Sequence, residues 1–308
     1  MNKKKLALLL LCLPLTAFGW EVEESFNVDT GGTLRLKADV GSVDITTHDS
    51  DTVDFLMEVR GYDEDDLVVD FDHGGDDLTV DVDRRRKWGS DWGNNRRVSF
   101  TITVPGTYNV DISTSGGAIS VLDLIGEVDL VTSGGSISLD RVVGEVDGRT
   151  SGGSITIDDV DGMARLRTSG GTIRVTEITG DVRAETSGGS IRIRRAGGDI
   201  VANTSGGGIS IADATAGVDA STSGGSIDLE IAQQPSADAE LSTSGGSITV
   251  ELANGIGMDL DARANRIRSD FPVNGVRTAK KSLRGELNGG GPTLEITASG
   301  GTINIKDD

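Results

Sequence analysis

The amino-acid sequence predicts an all-β chain, a single-domain parallel β-solenoid (β-helix) with about 18 residues per coil and irregular capping ends. Three observations carry that prediction. The tetrapeptide Thr-Ser-Gly-Gly recurs with its serine at Ser115, Ser133, Ser151, Ser169, Ser187, Ser205 and Ser223, always 18 residues apart. An eighth copy sits at Ser244, and a relative, Ala298-Ser299-Gly300-Gly301, lies near the end of the chain. Between the tetrapeptides, apolar and polar residues alternate with the period of two that marks a strand with one buried face. Glycine supplies 44 of 308 residues, about twice the usual share and without the every-third spacing of collagen. Of the 25 glycines from Ser115 to Gly246, 21 fall at three fixed phases of the repeat. They are corners, not a flexible linker.

The elements follow in order along the chain. Residues 1–19 read as a secretory signal: Lys3, Lys4 and Lys5, then the apolar run Leu6–Phe18, then Ala17 and Gly19 as small residues flanking a cleavage site. The single cysteine, Cys12, lies inside that run and is preceded by Leu10 and Leu11, so a lipid anchor is not expected. The mature chain would then lack thiols, which excludes disulfides and cysteine catalysis. No later stretch reaches 18 consecutive apolar residues, so no transmembrane segment is expected after cleavage. The predicted location is the periplasm or the cell exterior, as a soluble protein.

Residues 20–110 alternate like strands but lack the regular period, and are expected to form a β-rich part that caps the solenoid. Thr33–Lys37 and Val40–Ile45 look like a degenerate coil, and Val98–Pro105 reads as a strand that stops at proline. Residues 111–253 hold the regular array. Isoleucine stands four residues after each serine, from Ile119 and Ile137 to Ile248, with an apolar residue two further on. The ninth residue after the serine is apolar, as at Leu124 and Val142. A threonine of inward parity closes each coil: Thr132, Thr150, Thr168, Thr186, Thr204 and Thr222. One coil cannot bury enough apolar surface to offset the entropy of ordering its backbone, so the coils must stack. Residues 254–308 contribute an irregular stretch and then a last coil, Leu294–Ile305, as the second cap.

These features resemble a known family. The strand Val98–Pro105, the run Asn109-Val110-Asp111-Ile112-Ser113-Thr114-Ser115-Gly116-Gly117, the glycine-serine coils, and the tail Ile267–Pro272 followed by Leu287-Asn288-Gly289-Gly290-Gly291 are similar to the bacterial adhesin-like family of β-strand-repeat domains, the toast-rack domains of the cell envelope, whose function is unknown. The resemblance covers nearly all of residues 25–305. It implies a single-sheeted β-helical envelope protein and carries over no catalytic residue. It also implies a second role, an envelope-stress sensing domain.

Two basic features stand out in a chain of formal charge −20. The first is the stretch Arg84, Arg85, Arg86, Lys87, Trp88, Trp92, Arg96 and Arg97, with six basic residues against one aspartate. Arginine forks suit phosphate or carboxylate, and tryptophan faces suit sugar rings. An envelope glycan, a lipid headgroup or another envelope protein is the matching partner. The plain alternative is a solvated loop between two strands. The second is an arginine belt on adjacent coils: Arg165, Arg167, Arg174, Arg183, Arg192, Arg194 and Arg195. Arg174 and Arg192 share an outward phase and are expected one rung apart, where like charges repel. The belt could grip an anionic polymer, or Glu177, Asp181 and Glu185 could neutralise it locally.

Other chemistries fit poorly. The acidic runs Asp63–Asp66 and Asp76-Asp77 show no calcium-loop spacing, and the calcium β-roll is excluded because its aspartate position holds Leu139 or Ile157. After cleavage only His48 and His73 remain as histidines, and no zinc, P-loop or nucleophile-elbow motif is present. A genomic nucleic-acid binder would be basic. The sequence therefore predicts no catalytic residues, no cofactor and no metal. The expected function is a non-enzymatic structural, adhesion or interaction module of the bacterial envelope, with a glycan-active β-helix enzyme as the remaining competitor.

Overall fold

The computed structural model describes residues 19–85, 96–279 and 281–307. Before the regular array come β1 (Gly19–Asn27), β2 (Thr33–Ala38), β3 (Ser42–His48), β4 (Thr52–Arg60), β5 (Leu67–Gly74), β6 (Asp77–Arg84) and β7 (Arg97–Pro105). The array then alternates two sets of strands. One set is β8 (Asn109–Thr114), β10 (Val128–Thr132), β12 (Val146–Thr150), β14 (Ala164–Thr168), β16 (Val182–Thr186), β18 (Ile200–Thr204), β20 (Val218–Thr222) and β22 (Ala239–Thr243). The other is β9 (Ile119–Ile125), β11 (Ile137–Val143), β13 (Ile155–Asp161), β15 (Ile173–Val175), β17 (Ile191–Arg194), β19 (Ile209–Ala212), β21 (Ile227–Ile231) and β23 (Ile248–Leu252). The chain finishes with β24 (Met258–Ser269), β25 (Asn274–Ala279), β26 (Ser282–Leu287) and β27 (Thr293–Asp307). The described helical content is one 3₁₀ turn, Glu64–Asp66.

All 27 strands join one hydrogen-bonded sheet that winds into a solenoid. The even-numbered strands from β8 to β22 stack in parallel as wall A, and the odd-numbered ones from β9 to β23 as wall B. Partners are separated by the repeat length, as in Val128↔Val146 and Ile137↔Ile155. The core between the walls is a stack of equivalent layers. In one coil Val128, Leu130 and Thr132 point inward from wall A, and Ile137, Leu139 and Val142 from wall B, all buried.

The closing threonines are polar yet buried, and the geometry shows why. The Thr150 hydroxyl donates to the carbonyl of Gly135 on the preceding coil (2.8 Å) and accepts the N–H of Gly153 on its own (3.2 Å). Thr132, Thr168, Thr186, Thr204 and Thr222 repeat both bonds. Each threonine thus rivets one tight corner to the corner below it, and its own buried hydroxyl is satisfied as both donor and acceptor.

Wall B is not a simple strand. The eighth residue after the serine adopts a left-handed conformation at Asp123, Arg141, Asp159, Arg195 and Asp213. This bend places two successive polar residues outside, such as Asp140 and Arg141, and returns Val142 to the core.

The ends differ from the expected linear order. β27 does not form the terminal rung. It pairs in parallel with β22 and β23 on one side and with β24 on the other, so the last strand in sequence is inserted one rung inside. β26 then adds antiparallel to β24, and β25 to β26. The N-terminal end repeats the device. β2 and β3 form the degenerate coil, but they lie between the β8–β9 coil and an outer rung made of β6 and β7. Antiparallel β5 extends wall A, and β4 with β1 extends wall B. Both open sheet edges are thus formed by antiparallel additions, and the edge strand β1 turns a carboxylate, Glu24, toward the interior, where burial raises its pKa.

Candidate functional site

Parallel, in-register stacking aligns equivalent outward residues in columns with about 4.8 Å between rungs. Each wall is a flat lattice whose chemistry is set by which residues occupy those columns. On wall A one column runs Asp111, Asp129, Asp147, Arg165, Arg183. With Glu127 and Glu145 its acidic half lines a shallow groove of about 420 Å³. Burial, then the neighbouring Asp147, raises the Asp129 pKa against the pull of Arg149. Arg149 contacts Asp147 and lies 3.6 Å from Asp129, and Arg165 pairs with Glu145. Among the described residues, no group of three or more histidine, cysteine or carboxylate side chains is placed to hold a metal ion. A second groove, about 500 Å³, follows the corner and is lined by Arg167, Glu185, Asn203, Ser221 and the corner serines Ser187 and Ser205.

The arginine belt divides into two groups. Arg165 is bound to Glu145, Arg167 and Arg183 both reach Glu185 (3.2 and 2.7 Å), and Arg195 reaches Glu177 (3.1 Å). Of the three carboxylates expected to neutralise the belt, Glu177 and Glu185 do so. Asp181 instead accepts the backbone N–H of Asp199 (2.9 Å). Arg174, Arg192 and Arg194 form the other group. All three are exposed on wall B, Arg174 and Arg192 sit side by side in register, and among the described residues none has a carboxylate within ion-pair distance.

The basic stretch near residue 90 joins β6 to β7, the outer parallel rung at the N-terminal end. Its two roots are well held. The Arg84 N–H donates to Asp39 (3.0 Å) and the Arg85 N–H to the Asp66 carbonyl (2.8 Å). The Arg96 guanidinium lies over the Tyr62 ring, 4.9 Å from its centre, and the Trp20 indole donates to the Tyr62 carbonyl (3.0 Å). Arg97 opens β7 opposite Arg60 of β4. Arg86, Lys87, Trp88 and Trp92 lie outside the described residues. Trp20 and Tyr62 are the additions that sequence reasoning missed, because they sit in separate segments, 42 residues apart.

The remaining candidates have structural employment. Asp66 accepts the Asp63 N–H and closes the acidic turn (3.1 Å). Asp77 accepts the Thr33 N–H (2.9 Å) and binds Arg35 (3.1 Å), and the Arg35 bond draws its pKa below the usual carboxylate range. His48 meets the Thr52 carbonyl (2.8 Å), and His73 packs on Phe26.

Known proteins can be set beside this architecture. A solved Bacteroides fragilis structure provisionally named an adhesin is similar over 94% of this chain and 97% of its own, at 13% identity and a TM-score of 0.44. A Clostridium sporogenes structure provisionally named a cell adhesion protein covers 94% and 100% at 14% identity, TM-score 0.23. A Parabacteroides distasonis structure provisionally named a lipid-binding protein covers 92% and 96% at 14% identity, TM-score 0.39. No curated protein matches the chain. The model of the Toastrack DUF4097 family matches residues 34–306, nearly the whole of the solenoid and both caps, and the chain belongs to that family.

Proposed function

We propose that the protein is an exported, non-enzymatic β-solenoid that serves as a structural, adhesion or interaction module of the bacterial envelope and contacts an anionic glycan or lipid. The observation that carries this reading is the uninterrupted array. From Asn109 to Leu252 the strands alternate between the walls, joined by links of two to seven residues. Enzyme clefts are commonly built from loops that such an array does not offer. A rigid lattice of outward side chains is suited instead to contact with an extended partner. The leader-like first 19 residues support export. The stretch from Arg84 to Arg97 joins β6 to β7 in sequence, and its arginines and tryptophans support contact with anionic sugars or headgroups.

The test has two parts. Cells expressing the full chain are fractionated, and the protein is expected in the envelope or medium with its leader removed. Envelope extracts are then passed over immobilised mature protein, with Arg86, Lys87, Trp88 and Trp92 replaced by serine in a parallel sample. Retention of a glycan or lipid fraction by the native chain but not by the substituted one supports the reading. A cytoplasmic protein, or glycan cleavage in the same extracts, contradicts it.

A further inference from the structure

The unpaired arginines of wall B form a small cationic island. We infer that Arg174, Arg192 and Arg194 are a binding site for a single phosphate group carried on a sugar of an envelope glycan. The inference rests on the interaction-module reading and names a ligand class for one face of it.

The argument begins with cost. Like charges on directly paired strand positions destabilise a sheet. Elsewhere in the belt that cost is offset, since Arg165, Arg167, Arg183 and Arg195 each have a carboxylate partner. Arg174 and Arg192 are paired across neighbouring rungs with no such partner. Their flanking column residues, Thr156 and Ser210, are uncharged hydroxyl donors.

Geometry gives the size of the ligand. Adjacent rungs are about 4.8 Å apart, and residues two apart on a strand about 6.6 Å. Arg174, Arg192 and Arg194 therefore occupy the corners of a small triangle, from which three long guanidinium forks can converge. A tetrahedral dianion accepts several charge-assisted N–H bonds at once, whereas a carboxylate offers two oxygens to three forks.

Charge sets the ligand's extent. The island is bounded along the solenoid axis by acidic residues of the same columns. Asp158 lies two rungs below Arg194 on one side, and Asp228 two rungs beyond Arg192 on the other. A continuous polyanion lying along the axis would meet those carboxylates, and so would an anionic bilayer pressed against the wall. An isolated phosphate on an otherwise neutral sugar meets only the arginines.

The probes are glucose 6-phosphate, inorganic phosphate, heparin and phosphatidylglycerol vesicles, added to mature protein with ¹⁵N-labelled arginine side chains. Glucose 6-phosphate and inorganic phosphate are expected to shift the Nε–H signals of Arg174, Arg192 and Arg194 saturably. R174S/R192S/R194S should weaken glucose 6-phosphate binding by about tenfold or more. R165S/R167S/R183S, which removes the same charge from wall A, should change it by less than about threefold. All six positions are outward, and unchanged thermal unfolding of each variant confirms that folding is intact. Equal losses in the two variants would show a net-charge effect and overturn the proposal. So would tight binding of heparin or vesicles with no response to glucose 6-phosphate, or the absence of a saturable shift. Envelope retention is read separately: its loss in native protein that still binds glucose 6-phosphate contradicts the module reading alone.

Discussion

Two glycines stand side by side in every Thr-Ser-Gly-Gly corner, and only one is demanded by packing. A β-carbon on Gly153 would overlap the Gly135 carbonyl oxygen of the coil below. On Gly152 the nearest atoms would be 3.7 Å away, ordinary contact distance. Gly153→Ala is therefore expected to destabilise the protein by about 2–3 kcal/mol, and Gly152→Ala to change it by less than about 0.5 kcal/mol. Urea unfolding of the two variants checks this, and equal effects would contradict the stacked-corner geometry. Tyr108 offers a pH test at the same scale. Its fully buried ring sends the hydroxyl to the Asp76 carbonyl. Burial, then the nearby Asp77 and Asp76, pushes its pKa up to about 12. The unfolded tyrosine ionises near 10. The unfolded chain thus releases its proton first as pH rises, and the stability present below pH 10 is lost between about 10 and 12. Tyr108→Phe should flatten the stability–pH curve across that window, and an unchanged slope would contradict the assignment.

At the scale of the element, the corners and strands were legible and the bends were not. The isoleucine and threonine phases of the repeat report directly which residues face inward, and Ile137, Leu139 and Thr150 are buried as their parity requires. The bend in wall B interrupts that parity. Its visible trace is a pair of adjacent polar residues between apolar ones, such as Asp158-Asp159 before Val160. Period-two reasoning treats such a pair as noise. Asp159 holds φ = 60°, a conformation open to glycine and tolerated by aspartate but not by β-branched residues. Asp159→Val is expected to cost about 1–2 kcal/mol, with Asp159→Gly within about 0.5 kcal/mol of the native protein. Thermal unfolding separates these outcomes, and a tolerated valine would contradict the left-handed bend. The unpaired arginines were half legible. Their outward phase follows from the repeat, but the selection of Arg174, Arg192 and Arg194 depends on where Glu145, Glu177 and Glu185 reach.

For the whole molecule, the order of rungs at the ends was hidden from the sequence. β24 alternates Met258, Leu260, Ala262, Ala264, much as β27 alternates Leu294, Ile296, Ala298. Both patterns fit a parallel rung, and pattern alone does not say which lies outside. The structure inserts β27 between earlier and later rungs, and β2–β3 likewise at the other end, so the last strand is held inside the stack while β1 lies at the sheet edge. The result is a capped rod with a regular centre, on which each repeat of the sequence advances one rung in space. That conversion underlies the columns, the belt and the phosphate island alike. It is tested most directly by electron–electron spin distances between labels on cysteines introduced at outward positions of wall B. Ser138 and Ser210 lie four rungs apart and Ser120 and Thr249 seven rungs apart. At about 4.8 Å per rung the account predicts separations of about 19 Å and about 34 Å. Distances that do not grow in proportion to the number of rungs would contradict it.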